Sequence, residues 1–284
     1  MPPTPVEHSP LHQIAIMPHT HRLTPGMPVH LAEHSTRGAD HHPSRPDAEK
    51  EFRKLRHELI VWQQKLYAEG RQKLLIIFQA MDAGGKDGTT RKVFRGVNPQ
   101  GVRVTSFKAP THDELAHDYL WRVHRNVPAA GMIGVFNRSH YEDVLVVRVD
   151  ELVPEEVWQQ RYEQINHFEQ LLTATGTRIL KFYLHISKQE QKEQFQERLN
   201  VPEKHWKFSK ADLEKRRQWD DYMTAYQDAL QRCTTPWAPW YVIPSDSKWY
   251  RNLAVMRIII HTLREMNPSY PPGEAGIMDI TIED

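Results

Sequence analysis

The stretch "FQAMDAGGKDGTT", residues 78–90, sets Lys86 behind Gly84 and Gly85 and brackets them with Asp82 and Asp87. Gly84, Gly85 and Gly88 let backbone N–H groups turn inward around an anion. Lys86 supplies a compact positive charge of the kind that sits on transferring phosphates. A phosphate-binding loop of the Walker A kind reads Gly, four residues, Gly, Lys, then Ser or Thr. Here Ala80 replaces the first glycine and Asp87 replaces the Mg²⁺-binding hydroxyl. Two carboxylates in an anion-binding loop make sense where Mg²⁺ bridges carboxylate and phosphate. On this reading Ala83, Gly84, Gly85, Asp87, Gly88 and Thr89 form the phosphate and nucleotide cradle.

Local charge agrees. Lys73, Lys86, Arg91, Lys92, Arg95, Arg103 and Lys108 face only Asp82 and Asp87 across that window. The whole chain is nearly neutral, with 37 Lys and Arg against 36 Asp and Glu in 284 residues. Nucleic acid is therefore not an expected partner, and any anion site must come from local clustering.

A second constellation is "GVFNRSHYEDVL". An apolar strand ending in a metal-binding side chain is the usual partner of a phosphate loop. Here it ends in Asn137, followed by Arg138, whose planar fork suits phosphoryl oxygens. Glu142 and Asp143 stand close enough to pair with that arginine or to help with metal or acceptor. A third constellation, "HISKQEQKEQFQERLNVPEKHWKFSKADLEKRRQWDDY", carries Lys188, Lys192, Arg198, Lys204, Lys207, Lys210 and Asp212. It is placed where a lid over phosphates would close and exclude water.

The elements that must position these groups are legible as alternating patterns. Residues 74–79, 102–107, 132–136, 178–186 and 240–244 are short apolar runs that suit strands buried on both faces. Helical patterns cover 86–97, 112–126, 154–175, 187–199, 209–232 and 247–265, after a first helix capped by Ser44 and ended by Gly70. Alternation of this kind predicts an α/β fold: a phosphate-loop kinase-like core with a five-stranded parallel sheet between helices, plus a helical lid.

Three segments follow: an extended or disordered N-terminal arm over 1–45, a phosphotransferase domain over 46–266 with its lid at about 187–215, and a tail over 267–284. The arm's many histidines are irregularly spaced and joined by no cysteine or carboxylate cluster, which argues against a metal site there. Cys233 is the single cysteine, so no internal disulfide forms. No apolar run approaches membrane-helix length and no secretion signal is visible, so a cytoplasmic protein with no membrane partner is expected.

Taken together, "MDAGGKDGT", "FNRSHYEDVLVVRV", "HISKQEQKEQFQERL", "WKFSKADLEKRRQWDDY" and "APWYVIPSDSKWYRNLAV" resemble the polyphosphate kinase 2 family, over residues from about 46 to 266. The resemblance implies phosphoryl transfer between inorganic polyphosphate and nucleotides, with Mg²⁺ or Mn²⁺ as cofactor. It implies Asp82 as the loop carboxylate near metal, Lys86 as the loop lysine, Arg138 as the second-motif arginine and Arg198 as the lid arginine. Asp82 and Asn137 are the expected metal ligands, and Glu142 joins the nucleotide-binding set. Arg91, Lys92, Lys188, Lys192, Lys207, Lys210 and Asp212 are the expected polyphosphate channel.

Many members carry Asp where this chain has Asn137, and "FNRSHYED" resembles the class III subgroup, which accepts nucleoside mono- and diphosphates. Two rivals stay open at this point: an ATP-dependent nucleotide kinase resembling thymidylate kinases, and a binding protein without turnover. A homo-oligomer, dimer or tetramer, is expected, and the residues spell no base preference.

Overall fold

The computed structural model describes residues 20–277 and 280–282. Its centre is a five-stranded sheet in which every neighbouring pair is parallel. The strands are β1 (Lys73–Gln79), β2 (Val102–Ser106), β3 (Ile133–Asn137), β4 (Thr177–His185) and β5 (Trp240–Pro244), in the order β2-β3-β1-β4-β5. The apolar runs of the sequence and the strands agree within a residue or two at each end.

β1 lies in the middle, and its alternation divides the core. Leu74, Ile76 and Phe78 pack toward α1 (Arg45–Glu69) and α10 (Lys248–Met266). Leu75 and Ile77 pack toward α6 (Glu155–Ala174) and α9 (Trp219–Arg232). Helices on both faces force the continuous apolar composition of the strands. The Ser44 hydroxyl caps α1 by accepting from Asp47 N–H, and Gly70, with φ +64°, ends it in the left-handed region.

Three helical patterns are shorter than their periodicity suggests. The loop helix α2 (Lys86–Val93) stops at Phe94 rather than running to 97. Residues 112–126 break into two single turns, α3 (His112–Leu115) and α4 (Trp121–His124). Asp118 causes the break, because its carboxylate accepts from the N–H groups of Leu120 and Trp121 and starts a new turn. The stretch 209–232 divides at Gln218 into α8 (Lys210–Arg217) and α9. A short 3₁₀ turn, His140–Val144, and α5 (Val146–Val149) follow β3 and precede α6.

Residues 20–44, placed by composition in the arm, lie against the core. Leu23 N–H donates to Trp240 O at 2.9 Å and Val242 N–H to His21 O at 2.9 Å, which extends the sheet's β5 edge. Leu23, Val29 and Leu31 are buried, and these few apolar anchors are enough to dock a segment otherwise rich in proline and polar residues. His8, His12 and His19 of the expected arm lie outside the described residues. No helix among the described residues is long and apolar enough to cross a membrane.

Candidate active site

The chain leaves β1 on one side for β2 and β3 and on the other for β4 and β5, so the strand order reverses beside β1. Ligands of open parallel sheets bind at such a reversal, outside the carboxyl ends of the strands. A cleft of about 560 Å³ opens there. All five strands feed it: the 82–88 loop after β1, Ser106 and Lys108 at the end of β2, Asn137 and Arg138 at β3, Ile186 after β4 and Ser245 after β5.

The loop has the shape that an anion cradle needs. Ala83 and Gly85 sit at φ +63° and +92°, and Thr89 N–H returns to Gly85 O at 2.9 Å to start α2. A Cβ at Gly84 would lie 2.6 Å from Ala80 Cβ and 2.8 Å from Met81 O, so only glycine fits. Thr89 is fully buried behind the cradle. The ammonium of Lys86 turns inward and donates to Ala80 O at 2.7 Å. Burial, with Arg138 alongside, pulls its pKa down to about 8, against the opposing pull of Asp82, Glu142 and Asp87.

Arg138 adopts φ +61°, held by its N–H donating to Phe78 O at 3.1 Å. That backbone turn aims its guanidinium at Asp82, where Nη2 donates to Oδ1 at 3.0 Å. Burial pushes the Asp82 carboxyl upward, but Lys86, Arg138 and Lys215 outweigh it and hold the pKa below the usual carboxylate value. Asp82 is therefore anionic at neutral pH. Asn137 donates from Nδ2 to Asp87 Oδ1, so the two residues that replace the usual hydroxyl and strand-end carboxylate are partners of each other.

Glu142 occupies a small adjoining cavity with Asp82, Arg138, Lys215, Tyr222 and Tyr226, and accepts from Gln79 Nε2 at 3.0 Å.

The segment expected to form a lid folds as α7 (Lys188–Asn200), the 3₁₀ turn Pro202–Lys207, and α8. Arg198 Nη1 donates to Asp212 Oδ2 at 3.2 Å and to Lys207 O at 2.9 Å, which ties the three pieces together at the cleft. Burial lifts the Asp212 carboxyl, Asp82 lifts it further, and Arg198 opposes both. Gln191 joins lid to loop by donating to Asp82 O at 2.9 Å, and it accepts from Arg216 at 2.9 Å.

Arg91, Lys207 and Asp212 line the cleft with the loop residues, but Lys92, Lys188, Lys192 and Lys210 do not. Helix phase separates them. The cleft face of α7 carries Glu190, Gln194, Glu197 and Arg198, spaced four, three and one, whereas Lys188 and Lys192 point outward and are exposed. Lys108, Lys204, Trp206, Lys248 and Arg251 enter the cleft in their place. A Lys or Arg in the first turn of the helix after a parallel strand was the available signal for the last two.

The donor set fits a hard divalent cation. Among the described residues no three His, Cys, Asp or Glu side chains converge as a closed metal cage. Mg²⁺ needs none, since it keeps water and phosphate ligands and takes one or two carboxylates from protein.

The chain matches the polyphosphate kinase 2 family over residues 42–271. It belongs to that family. An AMP/ADP-polyphosphate phosphotransferase of Meiothermus ruber is 57% identical over 229 residues, 81% of this chain and 86% of the relative. An ADP-polyphosphate phosphotransferase of Rhodopseudomonas palustris is 47% identical over 249 residues, again 81% and 86%. The crystal structure of polyphosphate kinase 2 from Arthrobacter aurescens TC1 superposes with a TM-score of 0.88 at 41% identity, covering 92% of this chain and 94% of that one. Within the polyphosphate kinase 2 frame, the loop, the Asn137–Arg138 pair and the lid arginine occupy one cleft.

Proposed function

We propose that this kinase transfers the terminal phosphoryl group of inorganic polyphosphate to nucleoside mono- and diphosphates, AMP to ADP and ADP to ATP, with Mg²⁺ and reversibly. The observation that carries the reading is the convergence of Lys86, Arg138 and Arg198 around one carboxylate-bearing phosphate cradle. The activities for which the two relatives above are named support the donor and the acceptors.

In this reaction an oxygen of the acceptor's last phosphate attacks the terminal phosphorus of polyphosphate. The P–O bond to the shortened chain breaks, and that chain leaves as a phosphate oxyanion. The acceptor is already ionised near neutral pH, since a phosphate monoester has its second pKa at about 6. No protein base has to remove a proton, so Asn137 in place of a carboxylate does not bar turnover. Protein is left with positioning and charge, which carry most of phosphoryl transfer.

Lys86 and the loop amides hold one phosphate. Arg138, fixed by Asp82, faces the group in flight, and Arg198 brings the lid's charge to it. Asp82 would hold Mg²⁺, with Asn137 and Asp87 beside it, and the bound ion would neutralise charge shared between donor and acceptor oxygens. Arg91, Lys108, Lys204, Lys207 and Lys248 guide the polyphosphate chain.

The test is an incubation of the protein with Mg²⁺, long-chain polyphosphate and AMP, without ATP, followed by chromatography. The proposal expects ADP and then ATP. Product from ADP alone would remove the monophosphate acceptor. Product only when ATP is supplied as donor would make the protein an ordinary nucleotide kinase, and tight binding without product would make it a binding protein.

A further inference from the structure

One cation at the cleft takes no part in the reaction as proposed. Arg251, in the first turn of α10, is only 5% exposed. Its guanidinium fills the space directly against Gly85, where any Cβ would collide with it, and it lies near Gly88 as well. Nη1 donates to Gly84 O at 3.5 Å, the limit of a hydrogen bond, and Nε finds no acceptor among the described residues. Glu190 offsets the charge only through space, and no ion pair to Arg251 forms among the described residues.

A buried guanidinium without a carboxylate is costly, and proteins normally pair it. Glu51 takes up Arg257 two turns away in the same helix through two hydrogen bonds of 2.6 and 2.7 Å, which shows what pairing looks like here. Arg251 has no such partner, yet it lies beneath the loop whose amides are turned toward an anion. A phosphoryl group held by those amides would supply the counterion that the fold leaves out.

We propose that Arg251 is a positioning residue for phosphate: it holds the Gly84–Gly88 backbone from below, and its charge is compensated only when a phosphoryl group occupies the loop. The inference rests on the reading of the loop as a phosphate site. It adds that the free protein carries an uncompensated charge, so that phosphate binding relieves a cost built into the fold.

The experiment compares the full-length chain with Arg251→Met, Arg251→Gln and Arg251→Lys, by thermal unfolding with and without inorganic tripolyphosphate and by calorimetric affinity for the same probe. Arg251→Met keeps the aliphatic bulk, and Arg251→Gln keeps a donor for Gly84 O. Expected for both neutral variants is an unliganded melting temperature no lower than that of the parent chain. Their tripolyphosphate affinity should fall by roughly tenfold or more, the range of a lost charged hydrogen bond, while Arg251→Lys keeps most of it.

A purely structural arginine would give the opposite pair of results, a lower unliganded melting temperature and unchanged affinity, and would overturn the inference. Failure of both neutral variants to fold would overturn it too. If the parent chain itself does not bind tripolyphosphate, the phosphate-loop reading falls and this inference with it. If the parent binds and the neutral variants bind equally well, only the role of Arg251 falls.

Discussion

Arg138 Nη2 stands 3.0 Å from Asp82 Oδ1, and the arginine reaches it from a left-handed backbone, φ +61°. The carboxylate therefore does two things, fixing the fork of the arginine and keeping an anionic oxygen in the cleft. An arginine placed on a transferring phosphoryl group is worth roughly 10³ to 10⁵ in turnover. Arg138→Ala is expected to lose about that much in kcat, with its circular dichroism unchanged. Arg138→Gly should be as inactive but more stable than Arg138→Ala by about 1 kcal/mol, because glycine bears no penalty in the left-handed region. Equal stability of the two variants in urea titrations would show that the backbone at 138 stores no strain. Near-normal turnover in either would remove the arginine from the reaction.

Lys86 gives the pH dependence. Its pKa falls from an ordinary 10.5 to about 8 in the free protein, mainly through burial. Between those values the unfolded chain binds more protons than the folded one, so this group makes the free protein more stable as pH rises from 8 toward 10.5. Phosphate binding works against that trend, since it favours the charged lysine. Tripolyphosphate should bind with uptake of a fraction of a proton near pH 8, where the free lysine is about half protonated. Calorimetry in two buffers of different ionisation enthalpy reads this directly, and Lys86→Met should abolish the uptake. Identical heats in the two buffers would contradict the assignment.

The loop and the strand-end pair were legible because their parts are neighbours in sequence. Asp82 to Gly88 is one turn, and a buried parallel strand delivers Arg138 wherever β3 ends. The sheet was legible for the same reason, since strands buried on both faces read as continuous apolar runs. What the sequence does not display is helix phase and long-range closure. Lys188 and Lys192 share a charged stretch with Arg198, but they lie on the other face of α7. Arg251 meets Gly84 across 167 positions, and locally it is marked by no more than its place in the first turn of the helix after β5. Residues 112–126 keep a helical period through Asp118, whose side chain then competes for the backbone and breaks it.

The lid has its own latch. Arg198 joins Asp212 and Lys207 O, and so connects α7 to the segment that follows it. The pair is largely screened from water, with side chains 20% and 19% exposed. Arg198→Ala is expected to reduce kcat strongly, toward the lower end of the roughly 10³ to 10⁵ range. Asp212→Asn, which frees the arginine but leaves its charge, should cost about tenfold or less through looser positioning. Both should melt within a few degrees of the parent chain. A larger loss for Asp212→Asn than for Arg198→Ala would reverse the roles assigned to them.

Asn137 invites the converse substitution. Its Nδ2 donates to Asp87 Oδ1, and Asn137→Asp would replace that donor by a second carboxylate at contact distance. Like charges so close raise one carboxyl pKa, so the folded state of the metal-free variant holds a proton that the unfolded chain does not. Stability is then retained at low pH and lost as pH rises through the raised folded value. The variant should approach the parent near pH 4, close to the unfolded carboxyl value, and be weaker than it by about 1–3 kcal/mol near pH 8. Mg²⁺ should reverse the deficit, because a second carboxylate strengthens a hard cation's site. Metal-free unfolding curves at the two pH values, repeated with Mg²⁺, test each part. A variant as stable as the parent at both pH values would place residues 87 and 137 too far apart for the contact to matter.

Behind Arg138 lies a fully buried ion pair that steadies the turn after it. Lys181 Nζ donates to Glu169 Oε2 at 2.6 Å, to Tyr141 OH at 2.7 Å and to Cys233 O at 2.7 Å. Tyr141 OH in turn donates to Glu169 Oε1 at 2.8 Å, and His140 Nε2 lies 3.2 Å from the same oxygen. Every acceptor near the ammonium is satisfied, so removing the cation alone strands a carboxylate in the core. Lys181→Met is expected to cost about 3–5 kcal/mol by denaturant titration. Adding Glu169→Leu should recover much of it, because two apolar side chains replace a pair whose desolvation was expensive. Tyr141 is three residues from Arg138, and with neither ion its hydroxyl loses its anchors. The double variant should therefore fold well but turn over more slowly, with kcat affected more than KM. A stable double variant with unchanged kcat would confine this network to stability alone.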